Sequence, residues 1–269
     1  MAAIAVATWS GASAQDDKPV PDLLVRAKEK GALPVCADPY AYPFATQAGD
    51  PPGFDIEIIR AIAADAGLGV DYVWADTGSR GGLGKALRGS IMKGHCAVFL
   101  GLAVDDESIK EMDEKDLAFT RPYLGLGYIL VVQGPAESAT GLTDLKEMKV
   151  GVSMSTPMDG YLFEIGQPRE LYLGNRRVMQ GMAKGEINAA MVFSPSLAEA
   201  RREFPDAKFH VVANYQPESN LRWNLAMVVP KDQPAVTALL EQGIEKLLKS
   251  GKIKEIVESY GMPFYPPFE

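Results

Sequence analysis

The chain has 269 residues, of which 47% are apolar and 23% are charged, a composition typical of one or two globular domains. Its formal net charge of −8 argues against a nucleic-acid-binding protein, because such a protein needs basic patches to neutralise phosphates. Solubility, or a basic protein partner, accounts for the acidic balance.

The first fourteen residues form an apolar, uncharged segment that ends in Ala12-Ser13-Ala14. This ending is typical of a secretory cleavage site, so residues 1–14 are predicted to be signal-peptide-like. Because the segment lacks the usual basic start, a disordered apolar tail is the alternative. No other stretch reaches the roughly 18 apolar residues of a membrane span, and we therefore expect an exported, soluble mature protein with no membrane span.

The stretch 33–74 predicts a strand, a loop, a helix and a second strand. Apolar residues cluster at 33–36, recur at helical spacing over 54–66, and alternate over 70–74. A right-handed crossover makes the two strands parallel and places the loop at a carboxyl end, where open α/β sheets bind ligands. The loop carries three aromatic residues, which we predict to form a binding wall: Tyr40, Tyr42 and Phe44. Trp74, by contrast, is expected to pack in a core.

The order of these motifs resembles that of bacterial periplasmic solute-binding proteins of the amino-acid-binding type. The resemblance rests on Pro43-Phe44 and on Gly53-Phe54-Asp55, which lead into the predicted helix. It implies an α/β fold of the type II periplasmic binding protein class. Each of its two lobes would be a mostly parallel sheet flanked by helices, with two hinge crossings between them.

The middle of the chain continues the first lobe. Residues 75–84 form a Gly-rich turn with Arg80, whose glycine spacing supports a phosphate loop only weakly, so a flexible turn is favoured. A helical run over 85–93, a buried strand over 97–104 and a solvated acidic segment over 105–116 follow. Thr120-Arg121-Pro122-Tyr123 then precedes a strand over 126–132, and the family resemblance makes residues 127–133 the first hinge crossing.

The second half repeats the alternation of strands and helices and predicts a second lobe. Strands are expected at 149–153, 189–193, 209–212 and 225–229, and helices at 142–148, 161–166, 176–185, 197–202, 236–248 and 253–260. Ser155 and Thr156 either cap a helix or bind a polar ligand group. We predict lobe 1 at 15–126 and 228–269, lobe 2 at 134–224, and hinges at 127–133 and 225–227.

The two cysteines, Cys36 and Cys96, lie near the starts of two predicted strands. An exported protein meets an oxidising compartment in which neighbouring cysteines can form a disulfide, and two buried free thiols are the alternative. A bridge would close a loop of about 60 residues and add roughly 4 kcal/mol of stability on the chain-entropy model.

Catalytic chemistry has little support in the sequence. His95 and His210 are the only histidines, and neither stands in a hydrolase or metalloprotease motif. Clustered metal ligands and the EF-hand spacing are also missing from the sequence. We therefore predict no enzyme activity, no catalytic residue, no metal site and no cofactor.

The resemblance implies an amino-acid ligand, whose carboxylate and ammonium need an Arg and an Asp. The Arg would follow the strand at 98–102, but residues 103–110 contain none, and the Asp position after 189–192 holds Phe193-Ser194. Burying a charged ligand without partners costs several kcal/mol, so an amino-acid ligand is disfavoured. The predicted cleft residues are Tyr40, Tyr42, Phe44, Arg80, Ser155, Thr156, Met158 and Phe193.

A narrower resemblance covers most of the mature chain. Cys36-Ala37-Asp38-Pro39, Pro43-Phe44, Gly53-Phe54, the strand beginning at Cys96 and Thr120-Arg121-Pro122-Tyr123 resemble the J-type periplasmic proteins encoded beside pyrroloquinoline-quinone (PQQ)-dependent methanol dehydrogenases. The chain departs from that pattern at Cys96-Ala97 and Phe44-Ala45. The resemblance implies a periplasmic monomer that serves maturation or activation of such a dehydrogenase. The departures favour the lanthanide-type branch, and the implied partners are the dehydrogenase and its cytochrome c.

Two further hypotheses compete with this accessory role. A transporter receptor for a small uncharged or aromatic molecule would use the same fold. A dehydratase built on that fold is disfavoured, because the sequence shows no acid/base pair in the cleft.

Overall fold

The computed structural model describes residues 22–213 and 215–269; the signal-like segment 1–14 lies outside the described residues. The first half contains α1 (Leu23–Lys30), β1 (Ala32–Ala37), α2 (Phe54–Asp65), β2 (Gly69–Trp74), α3 (Gly82–Gly89), β3 (Val98–Val104), α4 (Asp106–Asp113), β4 (Leu117–Phe119) and β5 (Leu124–Val132). The second half contains β6 (Val150–Ser153), α5 (Pro157–Glu164), β7 (Arg169–Tyr172), α6 (Asn175–Ala183), β8 (Ala189–Phe193), α7 (Pro195–Glu203), β9 (His210–Val211), β10 (Arg222–Pro230), α8 (Pro234–Lys249) and α9 (Lys252–Ser259).

Hydrophobic periodicity accounts for the first βαβ unit as predicted. The apolar face of α2 is buried in the largest core cluster together with α8 and α9. Gly53 precedes α2 with φ of 115°, a conformation that glycine adopts without strain, and its Cα lies against the backbone of Phe44. The aromatic loop is thereby tied to the start of α2.

The strands follow the order β2-β1-β3-β10-β5-β8-β6-β7, with β4 beside β10 and β9 beside β5. β1 is parallel to β2 and β3, while β6 is parallel to β7 and β8, so each lobe has a parallel core. β5 pairs with β10 over its first four residues and with β8 over its remaining five. The type II two-lobed fold is confirmed, and the residue limits predicted for lobes and hinges stay predictions.

The carboxyl ends of both parallel sheets meet near the middle of β5. Val104, the last residue of β3, is opposite Asn224 in β10, and Asn224 is opposite Gly125 in β5. Phe193, the last residue of β8, is opposite Tyr128 in β5. Loops that leave the two sheets therefore face one another across the crossing, and they define a cleft.

Several elements differ from the sequence prediction, and in place of the helix predicted over 142–148 there is only a short 3-10 helix, Leu142–Leu145. β4 and β7 were not predicted, because each is short and shows no clear alternation of apolar residues. α5 begins four residues before the predicted helix, since Thr156 caps it and Pro157 occupies its first turn. The acidic segment predicted to be solvated is largely exposed and forms α4, whose N-cap is Asp105.

The predicted disulfide between Cys36 and Cys96 is present, with an S–S distance of 2.01 Å and Cα atoms 5.6 Å apart. Both cysteines are completely buried, and neighbouring β1 and β3 bring them together. The bridge lies within an apolar cluster that also holds Leu87, Ile91 and Phe99. It therefore links β1 covalently to the segment that precedes β3, beside the residues of α3.

The C-terminal residues run across the crossing strands. The Gly125 amide donates to the Tyr265 carbonyl (2.9 Å), and Asn224 exchanges two hydrogen bonds with the Phe268 backbone (2.7 and 2.8 Å). The Phe268 ring lies beneath the Arg222 guanidinium, 4.5 Å from its carbon. Phe264 packs on the lobe 1 core, whereas Tyr265 and Phe268 pack on a lobe 2 core cluster. We call residues 264–268 the C-terminal strap.

Candidate functional site

Three aromatic side chains form the floor of the cleft. Tyr128 comes from β5, Phe193 from β8 and Trp223 from β10, and their ring centroids are 5.8–6.3 Å apart. Phe193 and Trp223 meet edge to face and are partly exposed, whereas Tyr128 is nearly buried. The sequence predicted Phe193 and missed the other two, because their meeting depends on the register between distant strands.

Phe44 and Asp38 belong to the lobe 1 wall. The Phe44 ring packs on Phe54 with centroids 5.0 Å apart and lines a cavity of about 170 Å³ at the carboxyl ends of β1 and β3. Asp38 lines the same cavity and accepts hydrogen bonds from the backbone amides of Tyr40 (2.7 Å) and Thr77 (2.8 Å) and from the Thr77 hydroxyl. Asp38 thus fixes the loops around this cavity.

The other two loop aromatics have different environments. Tyr40 is 79% exposed and leaves its ring open to solvent. Tyr42 lies between the Tyr260 ring, 6.1 Å away, and the guanidinium of Arg202 in α7, 4.8 Å away. Burial raises the pKa of Tyr42, and the neighbouring Arg202 opposes that rise. Tyr42 therefore contacts both lobes, and the Arg202 guanidinium lies over its ring.

On the lobe 2 wall, Thr156 adopts the capping role, one of the two roles predicted from the sequence. Its hydroxyl donates to the Ser153 carbonyl (2.7 Å) and accepts from the Asp159 amide (3.3 Å). Ser155 is exposed with φ of 59°, and its amide donates to Asp159 (2.9 Å). This hydrogen bond and the Arg169 guanidinium hold the pKa of Asp159 below its usual value.

Two other predicted cleft residues lie elsewhere. The prediction for Met158 was wrong: its side chain is completely buried in the lobe 2 core with Leu162 and Val152, because the first turn of α5 directs it inward. Arg80 is exposed on the turn before α3, beyond the cavity that Phe44 lines. Trp74 is stacked on Tyr72 with centroids 5.3 Å apart and packs on the lobe 1 core, as expected.

A buried carboxyl group lies beneath the lobe 1 wall. Asp55 in α2 is 1% exposed and accepts a hydrogen bond from the Tyr123 hydroxyl (2.6 Å), while its Oδ2 has no partner. Burial raises the pKa of Asp55 to about 7, against the opposing effect of the Tyr123 hydrogen bond. A Cβ at Gly101 would collide with this oxygen. Sequence reasoning missed the pair, although an Asp in an apolar helix was a signal.

The two positions at which the resemblance implies an Arg and an Asp for binding an amino acid hold other residue types. Where the resemblance placed an Arg, Asp105 and Ser108 cap the first turn of α4 through reciprocal hydrogen bonds (2.7 and 2.9 Å). Where it placed an Asp, Phe193 fills the floor and Ser194 begins α7. An amino acid bound here would find no Arg for its carboxylate at the first position and no Asp for its ammonium at the second.

Three carboxylates that a dehydratase could use, Asp38, Glu57 and Asp159, have structural partners. Asp38 bonds Thr77, Asp159 pairs with Arg169 at 2.6 Å, and Glu57 accepts from the Tyr260 hydroxyl at 2.6 Å. Within residues 22–213 and 215–269, no three His, Cys, Asp or Glu side chains are placed to hold a metal. In the same part of the chain, none of the helices has the length and hydropathy to cross a membrane.

Two parallel-sheet lobes that face each other across two crossing strands define the class of periplasmic-type binding proteins. Residues 33–263 match the model of the bacterial extracellular solute-binding proteins, family 3, and the chain belongs to this family. Among curated proteins, none matches the chain.

Solved structures share the fold at low identity. The L-cystine solute receptor of Neisseria gonorrhoeae, unliganded and open, is 17% identical with a TM-score of 0.69, covering 89% of this chain and 97% of the receptor. Substrate-binding domain 2 of Lactococcus lactis GlnP is 21% identical with a TM-score of 0.69, covering 86% and 96%. An ancestral cyclohexadienyl dehydratase is 17% identical with a TM-score of 0.66, covering 90% and 97%.

Proposed function

We propose that this chain is a non-catalytic periplasmic accessory protein whose cleft receives a segment of another protein. The observation that carries the proposal is the floor, where Phe193, at the position for which the resemblance implies an ammonium-binding Asp, packs against Tyr128 and Trp223. An aromatic floor without an ionic clamp favours an apolar occupant over a free zwitterion. The protein would act as a monomer.

The proposed partner is a PQQ-dependent methanol dehydrogenase of the lanthanide type, with its cytochrome c. Support comes from the resemblance in Pro43-Phe44, in Thr120-Arg121-Pro122-Tyr123 and in the paired cysteines, which here form the disulfide. Maturation or activation of the dehydrogenase is the role we assign. The partner surface is the cleft floor and its walls.

Calorimetric titration of the mature protein into the apo-dehydrogenase tests this role. We expect binding, and we expect Phe193→Ala to weaken it by about 5- to 150-fold, since truncation of a well-packed aromatic anchor costs about 1–3 kcal/mol. Phe163→Ala is the matched control, because Phe163 is 68% exposed on α5 and absent from the floor. Absence of binding to the apo- and metal-loaded dehydrogenase would contradict the proposal.

The alternative function is that of a transporter receptor for an uncharged or aromatic molecule. Membership of the solute-binding family supports this alternative. A thermal-shift screen of metabolites separates the two functions. A true ligand at 100 times its dissociation constant stabilises the protein by about 2.7 kcal/mol. A metabolite with that effect, abolished by Phe193→Ala, would establish the transport role instead.

A further inference from the structure

We infer that the occupant of the cleft is a basic, amphipathic segment, with Lys or Arg side chains toward lobe 1 and apolar side chains toward lobe 2. This inference rests on the proposed function and specifies the chemistry of the partner. It follows from the unequal charge of the two walls.

The wall of lobe 1 is acidic. The loops after β1 and β2, residues 38–53 and 75–81, and the N-cap and first turn of α4 after β3, residues 105–108, carry six acidic residues and one basic residue, Arg80. We call the six acidic residues the acidic wall: Asp38, Asp50, Asp76, Asp105, Asp106 and Glu107.

Four members of the acidic wall, Asp50, Asp105, Asp106 and Glu107, are exposed, and Asp38 and Asp76 are half-buried. Asp76 accepts from the amides of Gly78 (2.8 Å) and Ser79 (3.0 Å), and Asp105 accepts from the Ser108 amide (2.7 Å). Asp106 and Glu107 are exposed beside Asp105, and none of the six forms an ion pair within the described chain. Their combined field therefore extends over the cleft.

The wall of lobe 2 is not acidic overall: the first turn of α6 adds Arg176 and Arg177, and the first turn of α5 adds Asp159, which pairs with Arg169. Phe193 ends β8, and the residues between the strands β6, β7 and β8 and the helices after them, 154–156, 173–174 and 194, are uncharged. Met154 and Leu173 are largely exposed there, at 42% and 79%. Ser194 is buried beside Phe193, and its hydroxyl has no partner. This wall offers apolar contact through Met154 and Leu173.

The charges of the two walls determine which sign of charge a bound segment can carry. An acidic segment would be repelled by lobe 1, and a wholly apolar one would strip water from the carboxylates without replacing it. A second copy of this chain carries a net charge of −8 and is disfavoured for the same reason. A segment with cationic and apolar sides satisfies both walls and the aromatic floor at once.

Fluorescence titration of the mature protein with two short synthetic peptides tests the inference. One combines leucine with lysine and the other leucine with glutamate, and Trp74→Phe leaves Trp223 as the reporter at the floor. We expect only the lysine peptide to shift the Trp223 emission. Its affinity should fall at about 0.5 M salt, where charges are screened within a few Å.

The acidic wall is tested with charge-neutralising variants. Asp106→Asn/Glu107→Gln should weaken the lysine peptide by roughly three- to tenfold, as for two rim charges. Glu29→Gln/Asp71→Asn changes the net charge equally on exposed positions of α1 and β2, and should leave the affinity unchanged. Equal losses in both variants, or equal binding of both peptides, would overturn the inference.

The same variants separate this inference from the proposed function. Dehydrogenase binding that is indifferent to Asp106→Asn/Glu107→Gln overturns the basic docking segment and leaves the accessory role intact. Wall-dependent peptide binding without dehydrogenase binding supports the docking chemistry and rejects the dehydrogenase as partner.

Discussion

At the scale of single residues, Asp55 links stability to pH. Its pKa is raised from 3.8 to about 7 by burial, so the folded protein binds this proton more tightly than the unfolded chain does. The stabilisation is complete below about pH 4 and is lost as the pH rises through 7, with a slope of up to about 1.4 kcal/mol per pH unit. Asp55→Asn has no charge to bury and should abolish this dependence.

Urea unfolding of the wild type and of Asp55→Asn between pH 4 and 8 measures the effect. The difference between their free energies of unfolding should shift progressively in favour of the variant as the pH rises. Asp71→Asn serves as the control, because Asp71 is exposed on β2. Parallel stability curves for the wild type and Asp55→Asn would show that Asp55 stays ionised throughout.

At the scale of elements, the disulfide links β1 covalently to Cys96, which lies just before β3. It closes a loop between positions 60 residues apart, for which chain entropy predicts about 4 kcal/mol of stabilisation. Cys36→Ala/Cys96→Ala should therefore lower the free energy of unfolding by about that amount while α2 and β2 still form. Chemical denaturation of the oxidised protein, the reduced protein and the variant checks this. Equal midpoints for all three would contradict it.

Hydrophobic periodicity was sufficient to predict elements that are buried on one face or completely, such as α2 and β3. It was not sufficient to predict β7. The sequence Arg169-Glu170-Leu171-Tyr172 lacks an alternating apolar pattern, and β7 is a strand because β6 pairs with it at the sheet edge. Helix starts depended on local chemistry: Thr156 and Pro157 begin α5 earlier than the apolar residues indicate.

The candidate site was only partly predictable, for a related reason. Phe193 could be identified from the sequence because it occupies the position at which the family resemblance implies an Asp. Tyr128 and Trp223 join it only through the pairing of β5 with β8 and β10, and Asp55 meets Tyr123 only in the folded core. Contacts between residues distant in sequence carry no local pattern, so periodicity cannot report them.

At the scale of the whole molecule, the strap and the contact between Tyr42 and Arg202 join the lobes at two places. The strap bonds β5 through Gly125 and β10 through Asn224, and its aromatic residues reach the cores of both lobes. Interlobe motion bends the crossing strands, so a strap bonded to both of them should restrict that motion. This rigidity suits a cleft that receives a protein segment without closing over it.

Removal of residues 264–269 should therefore increase interlobe motion. The Gly125 amide would lose its acceptor, the Tyr265 carbonyl, and should exchange with solvent faster, while the distribution of interlobe distances measured by small-angle X-ray scattering should broaden.

Phe268→Ala should produce a smaller change of the same kind, because it removes the ring beneath Arg222 and leaves the backbone bonds to Asn224. Phe163→Ala removes an equal ring from an exposed site and should change neither measurement. Unchanged exchange at Gly125 and an unchanged distance distribution after truncation would show that the crossing strands hold the lobes without the strap.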